Sequence, residues 1–290
     1  MARSITVGMR NILRHSATAI AFSVFGSVAF AATLDVRGVD EDSDLYEALL
    51  GGSLLREQTA EDADPTTQEL LAAAQADYAR LLAVMYDQGY FAAVIKITID
   101  GVDASAIAPV APPSQISSAV ISVEQGRKFT FSRTEIQPVA EDTELPEEFA
   151  AGETASLGVL KETVSAGIEG WRNQGHAKAA LANQELTARV PDATMSARLT
   201  LSPGPRLRFG ELTVQGESAV RQRRILKIAG LPVGEVYSQE QLDLAATRLR
   251  RTGAFSSVAL IESDRIVPPD RLPITAQITD APPRRFGFGA

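Results

Sequence analysis

The sequence predicts an α+β protein of three tandem β-α-α-β-β units, each a three-stranded mixed sheet with two helices on one face. Three observations predict it. A stripe of apolar residues at helical spacing runs into a glycine three times: Tyr78, Leu82 and Met85 before Gly89, Val164, Ile168 and Trp171 before Gly175, and Leu242, Ala246 and Leu249 before Gly253. Intervals of three and four place such residues on one helix face, and glycine supplies the left-handed turn that ends the helix. Each glycine is followed by extended segments in which apolar and polar residues alternate, the pattern of a sheet covered on one side only. The second and third units also repeat at a fixed offset of 78 residues, which relates Gly126 to Gly204, Phe131 to Phe209 and Gly175 to Gly253.

The elements follow in chain order. The first unit, residues 32–126, opens with the strand Leu34 to Val39 and a helix from Asp44 to Leu50, and the striped helix then ends at Gly89. An extended run from Phe91 to Ile99 follows, then a proline-bearing hairpin loop from Ile107 to Gln115 whose expected property is flexibility, then a strand carrying Ile121 and Val123. The second unit, residues 127–204, opens at Phe129 to Ile136. Its helical stretch around Leu157 is weaker and its division into two helices unresolved; strands at Ala177 to Leu186 and around Leu199 and Leu201 complete it. The third unit, residues 205–282, has an opening strand from Leu207 to Val214, a helix from Arg221 to Ile228, and a break at Gly230-Leu231-Pro232-Val233-Gly234. Ser238 with Gln241 three residues on reads as a capping box for its second helix. Strands at Phe255 to Glu262 and Ile274 to Thr279 close the unit. Units of about 80 residues bury only about 60% of their unfolded surface, which favours contact between neighbours through short linkers.

The first 31 residues read as a secretory signal peptide: Arg3, Arg10 and Arg14 precede an apolar run from Ala17 to Phe30, and Ala29-Phe30-Ala31 has the small-x-small form of a cleavage site. That run has 14 residues, short of the roughly 20 that cross a bilayer. Charge is uneven along the chain, whose net charge is −8. Residues 32–126 hold 16 acidic and 4 basic side chains, whereas residues 205–290 hold 9 acidic and 13 basic. An acidic N-terminal part argues against nucleic acid as a partner, because that affinity rests on cationic contacts to phosphates. The basic C-terminal part suits either an anionic membrane surface or plain solvent.

Much chemistry is excluded. With no cysteine and only His15 and His176, neither thiolate nor histidine-rich metal sites exist. No phosphate-cradling glycine loop, nucleophile elbow or zinc signature appears. Asp40-Glu41-Asp42 and Glu61-Asp62-Ala63-Asp64 lack the spacing of a calcium loop. Trp171 is expected in the core, and His176 in a surface turn. No catalytic, cofactor-binding or metal-binding residue is assigned, so the expectation is a non-enzyme without cofactors.

The third unit combines Arg221 to Leu231, Gly234-Glu235-Val236-Tyr237-Ser238, and a helix end of the form x-x-G-x-F-x-x-V at Gly253, Phe255 and Val258. The first unit keeps Gly89 and Phe91, while the second has Ala177 where phenylalanine would stand. Together the three units resemble the POTRA-domain region of a TamA-like outer-membrane assembly factor of the BamA/TamA superfamily. Residues 283–290, with Arg284, Arg285, Phe286 and Phe288, resemble the start of a first barrel strand, and the rest of the barrel is absent from this chain. The resemblance implies a scaffold at the periplasmic face of the outer membrane of a Gram-negative bacterium, serving autotransporter translocation and assembly.

Its implied partners are unfolded outer-membrane protein clients, an inner-membrane or periplasmic TamB-like protein, and its own barrel. Clients would add as strands to the exposed sheet edge formed by the second strand of a unit. Phe91, Val94, Ile97, Phe255, Val258 and Leu260 are the candidate edge residues; Arg223, Arg224, Arg250, Arg251, Arg284 and Arg285 are the candidate membrane- or barrel-proximal cations. The competing readings are a POTRA protein of cell division anchored in the inner membrane by its N-terminal segment, and a periplasmic hydrolase.

Overall fold

The computed structural model describes residues 33–60 and 63–282; the segment 1–31 expected as a signal peptide and the segment 283–290 expected as the start of a barrel strand, with Arg284 and Arg285, lie outside them. The described chain forms three mixed sheets, each with one or more helices packed against it. The first unit runs β1 (Thr33–Arg37), α1 (Asp44–Gly52), α2 (Leu54–Gln58), α3 (Thr67–Asp87), β2 (Val94–Ile99), the two-residue β3 (Val102–Asp103) and β4 (Ser118–Glu124). The second runs β5 (Thr130–Gln137), α4 (Leu157–Asn173), β6 (Ala180–Arg189) and β7 (Thr194–Ser202). The third runs β8 (Arg208–Gln215), α5 (Gln222–Ala229), α6 (Gln239–Arg250), β9 (Phe255–Glu262) and β10 (Arg271–Asp280).

The sheets share one topology. Strand order is β1-β4-β2-β3, β5-β7-β6 and β8-β10-β9. The opening strand of each unit pairs in parallel with the last, and the second pairs antiparallel with the last from the other side. The last strand is therefore central, and its alternation is the sharpest: Ala119, Ile121 and Val123, then Met195, Ala197, Leu199 and Leu201, then Leu272, Ile274, Ala276 and Ile278 are all buried. Gly89, Gly175 and Gly253 sit just past their helices with φ of +90°, +101° and +65°, the left-handed conformation expected of them.

Several expectations need correction. The second unit has one helix on its sheet, not two. Residues 138–155 are irregular, and the weak stretch around Leu157, where the first helix was expected, is the start of the single helix α4. That segment carries Pro138, Pro146 and six acidic residues, with Ala140, Phe149 and Ala155 as its inward-facing apolar groups, too sparse for a helical stripe. Phe149 packs edge-on against Phe131 at 5.7 Å and covers the sheet there instead. The first unit gains a short extra helix, α2, and the extra strand β3. At the Ser238 cap, the Ser238 hydroxyl accepts the Gln241 N–H at 3.4 Å, but Gln241 does not return the bond. Trp171 is half-buried outside the core, donating from Nε1 to the Pro138 carbonyl at 3.0 Å with its ring edge-on to His176. The loop after β3 begins pinned to α3, because the Gln75 amide donates to the carbonyls of Ala104 and Ile107 at 2.9 and 2.8 Å.

Candidate functional site

Consecutive units meet through one repeated joint. The helix-ending glycine carbonyl of one unit accepts the N–H at the opening of the next: Phe129 N–H to Gly89, and Leu207 N–H to Gly175, both 2.8 Å. The opening strand then pairs with a short arm ahead of the main helix. Ala155 N–H bonds Phe129 and Tyr237 N–H bonds Leu207 at 3.0 Å, which makes Ala155 and Tyr237 equivalent. At the first joint Phe91, stacked on Tyr86 at 5.1 Å and edge-on to Phe129 at 5.7 Å, packs on the core that holds Ala155. At the second, Ala177 stands in the place of Phe91 and Tyr237 in that of Ala155. Large and small residues have exchanged sides, which accounts for the second unit's departure from the repeat.

Around Tyr237 the second joint is polar. Arg172 of α4 donates to Tyr237, to Glu262 and to the Gln239 amide oxygen, the last at 2.9 and 2.6 Å. The Tyr237 hydroxyl donates to Glu262 at 2.6 Å, and Lys178 lies 3.7 Å from the same carboxylate. Burial, then the Glu262 carboxylate accepting its proton, push the Tyr237 phenol well above the ordinary tyrosine value. The sequence offered no signal for this cluster, because Arg172 and Glu262 stand 90 residues apart.

The cluster closes one end of a groove of about 470 Å³ between α6 and the free edge of β9. Leu242, Ala246, Val258 and Leu260 give it apolar walls, and Arg172, Lys178, Asp243 and Glu262 give it charged ones. Along β9 the backbone alternates, as in any antiparallel pair. Ser263 N–H bonds the Pro273 carbonyl across to β10, while the Val258 carbonyl instead accepts from Arg250 of α6 at 3.2 Å. Residues 258, 260 and 262 therefore turn their backbone groups outward, and 257, 259 and 261 turn theirs to β10.

The three edges are not alike. On β2 the Tyr78 hydroxyl donates to the Ile97 carbonyl at 2.9 Å and accepts its N–H at 3.3 Å, and β3 pairs with Thr98 and Ile99. Side chain and hairpin thus cover much of that edge. On β9 only the Arg250 contact covers it, and on β6 no side chain bonds the outer backbone among the described residues. Of the candidate edge residues, Val94 is 56% exposed and Ile97 fully buried, Phe255 and Val258 are buried, Leu260 is half-buried, and Phe91 belongs to the first joint. Arg250 lines the groove, Arg251 follows it on the surface, and Arg223 and Arg224 lie on α5 in a separate basin. Among the described residues, no three His, Asp or Glu side chains gather as a metal site and no helix is long and apolar enough to cross a membrane.

Comparison with known proteins bears on the fold. The crystal structure of POTRA domains 3–5 of Haemophilus influenzae BamA matches with a TM-score of 0.61 at 15% identity, covering 87% of this chain and 96% of that one. POTRA domains 1–3 of the periplasmic domain of Omp85 from Anabaena cover 87% of this chain and 95% of that one, at 13% identity and a TM-score of 0.32. The search of curated proteins finds no match. Residues 207–280 match the family model of POTRA, described as surface antigen variable number repeat. The third unit is thus similar to a POTRA domain in sequence, and the three-sheet chain shares the fold of the POTRA repeats of BamA.

Proposed function

We propose that this chain is a non-enzymatic scaffold of outer-membrane protein assembly, working at the periplasmic face of the outer membrane of a Gram-negative bacterium. In this reading it belongs to a TamA-like factor serving autotransporter assembly. Its partners are unfolded outer-membrane protein clients, a TamB-like inner-membrane or periplasmic protein, and a barrel. It receives clients by strand addition at β9, taking affinity from main-chain hydrogen bonds that tolerate many sequences. One observation carries the proposal: the open β9 edge faces a groove with apolar walls in the unit whose sequence matches POTRA. Arg250 holds the Val258 carbonyl until an incoming strand replaces it.

The test uses the outward alternation of β9. Leu260→Pro removes an outward N–H and leaves the pairing with β10 intact, whereas Ala259→Pro removes a ladder bond. Photocrosslinking from Ile261 to a nascent outer-membrane protein should fall several-fold in L260P with circular dichroism unchanged, while A259P should lower thermal stability. Undiminished crosslinking in folded L260P would sink the proposal.

A further inference from the structure

Arg221, Arg223, Arg224 and Lys227 line, with Val220, a concave basin of about 530 Å³ on the exposed side of α5. All four cations are exposed, and none makes an ion pair among the described residues. Among the described residues, no acidic side chain lines the basin. We propose that this face of α5 seats the phosphate-bearing headgroups of an anionic lipid surface.

The inference is independent of client binding at β9; it rests on the outer-membrane reading only for where such a surface would be met. Charge complementarity favours lipid over a protein partner. Protein interfaces bring aromatic residues into their centres, and among the described residues this basin has none. It also differs from a site for a free phosphate ion, which calls for enclosed, convergent donors; here the donors are solvent-exposed side chains on a broad open surface.

Local electrostatics point the same way. The other five helices begin at serine or threonine caps whose side chains accept first-turn N–H groups. α5 begins at Arg221 without a side-chain cap bond, and its first turn holds Arg223 and Arg224 and no acid. Cations at the positive end of a helix dipole destabilise it until an anion arrives. Such a local conflict in an otherwise consistent fold marks a surface kept for binding.

Placement fits as well. The Asp280 carboxylate accepts the Ser218 hydroxyl at 2.6 Å and the Ala219 N–H at 2.8 Å, so the start of α5 is tied to the C-terminal end of β10. At the other end of the chain, the surplus of acids in residues 32–126 is repelled by the same surface. An anionic bilayer would therefore hold the chain with its third unit inward.

Vesicle co-sedimentation of the full chain tests this, with phosphatidylglycerol-rich vesicles set against pure phosphatidylcholine. Arg3, Arg10 and Arg14 of the leader are common to wild type and variant, so the difference between the two reports α5. At about 1 kcal/mol for each basic residue near an anionic surface, R223Q with R224Q should weaken partitioning to the anionic vesicles by roughly thirtyfold. Binding should also fall steeply with added salt. Unchanged circular dichroism of the variant separates lost binding from lost fold. Equal binding of wild type and variant would overturn the proposal. So would competition by millimolar inorganic phosphate beyond its ionic strength, which assigns a free-anion site, or concentration-dependent self-association abolished by R223Q/R224Q, which assigns a second copy of the chain. Client crosslinking plays no part in the assay, so either proposal can fail alone.

Discussion

Asp77 is fully buried in α3, and its carboxylate accepts the Ser53 hydroxyl at 2.6 Å and the Leu54 and Leu55 N–H groups at 2.8 and 3.0 Å. One side chain thereby satisfies the first turn of α2, whose short length gives it little stability of its own. Asp77→Ala leaves three donors unpaired in or beside the core, and a buried unsatisfied group costs about 1–3 kcal/mol. The expected loss is about 3 kcal/mol or more, read as a lower denaturant midpoint at unchanged slope. A loss below about 1 kcal/mol would mean that water reaches these donors. At the same scale, the sequence hid what mattered. Asp77 stands among helical residues with nothing to mark its burial, and Arg172 meets Glu262 only because the joint folds them together. Arg223 and Arg224, by contrast, were visible as a cluster, because neighbours on one short helix stay neighbours in space.

At the scale of elements, periodicity carried the reading wherever a stripe was complete. The glycine-ended helices and the central strands follow from spacing alone. The single helix of the second unit did not, because residues 138–155 bury isolated apolar groups rather than a face. The groove beside β9 also needed the fold: its walls come from α6 and β9, and the alternation that turns the backbone groups of Val258 and Leu260 outward is set by the register with β10. The two joints give a sharper test of element packing. Ala177 is fully buried, so Ala177→Phe overfills the second joint and should cost roughly 1–3 kcal/mol. Tyr237→Ala leaves a cavity and removes one of the donors to Glu262, and should cost at least about 3 kcal/mol. Combined, they recreate the first joint's arrangement of Phe91 and Ala155, so the double variant should lose less than the sum of the two. Strict additivity in urea unfolding would remove the claim that the joints exchanged bulk.

Across the whole molecule, each unit carries a carboxylate held below the ordinary range. Thr66 lowers Glu69 through its backbone N–H and then its hydroxyl. The hydroxyls of Ser105 and Tyr78 lower Asp103, Arg198 and then Arg133 lower Glu135, and the Ser218 hydroxyl and Ala219 N–H lower Asp280. A group whose folded value is lowered contributes stability above its unfolded value, near 4, and loses it as the pH falls through the folded value. All four groups face solvent, so each contribution is small and screened by salt. Their sum nonetheless gives every unit an acid limit. The alkaline limit differs: Tyr237 is raised, so its contribution is full below the unfolded tyrosine value near 10 and declines as the pH rises above it. Tyr78 is raised too, by burial and then by its bond to Asp103, so the loss falls on the first unit as well as on the third and its joint with the second. The melting temperature should therefore hold between about pH 5 and 9, and fall below about pH 4 in all units together. Above about pH 10, Tyr237→Phe, which has no proton to lose, should weaken the pH dependence. The fluorescence of Trp171, the single tryptophan, reads the side of the joint next to Arg172, and far-UV circular dichroism reads the whole chain. A melting temperature that rises on acidification below pH 4, or an alkaline decline unaltered by Tyr237→Phe, would contradict this distribution of charge and burial.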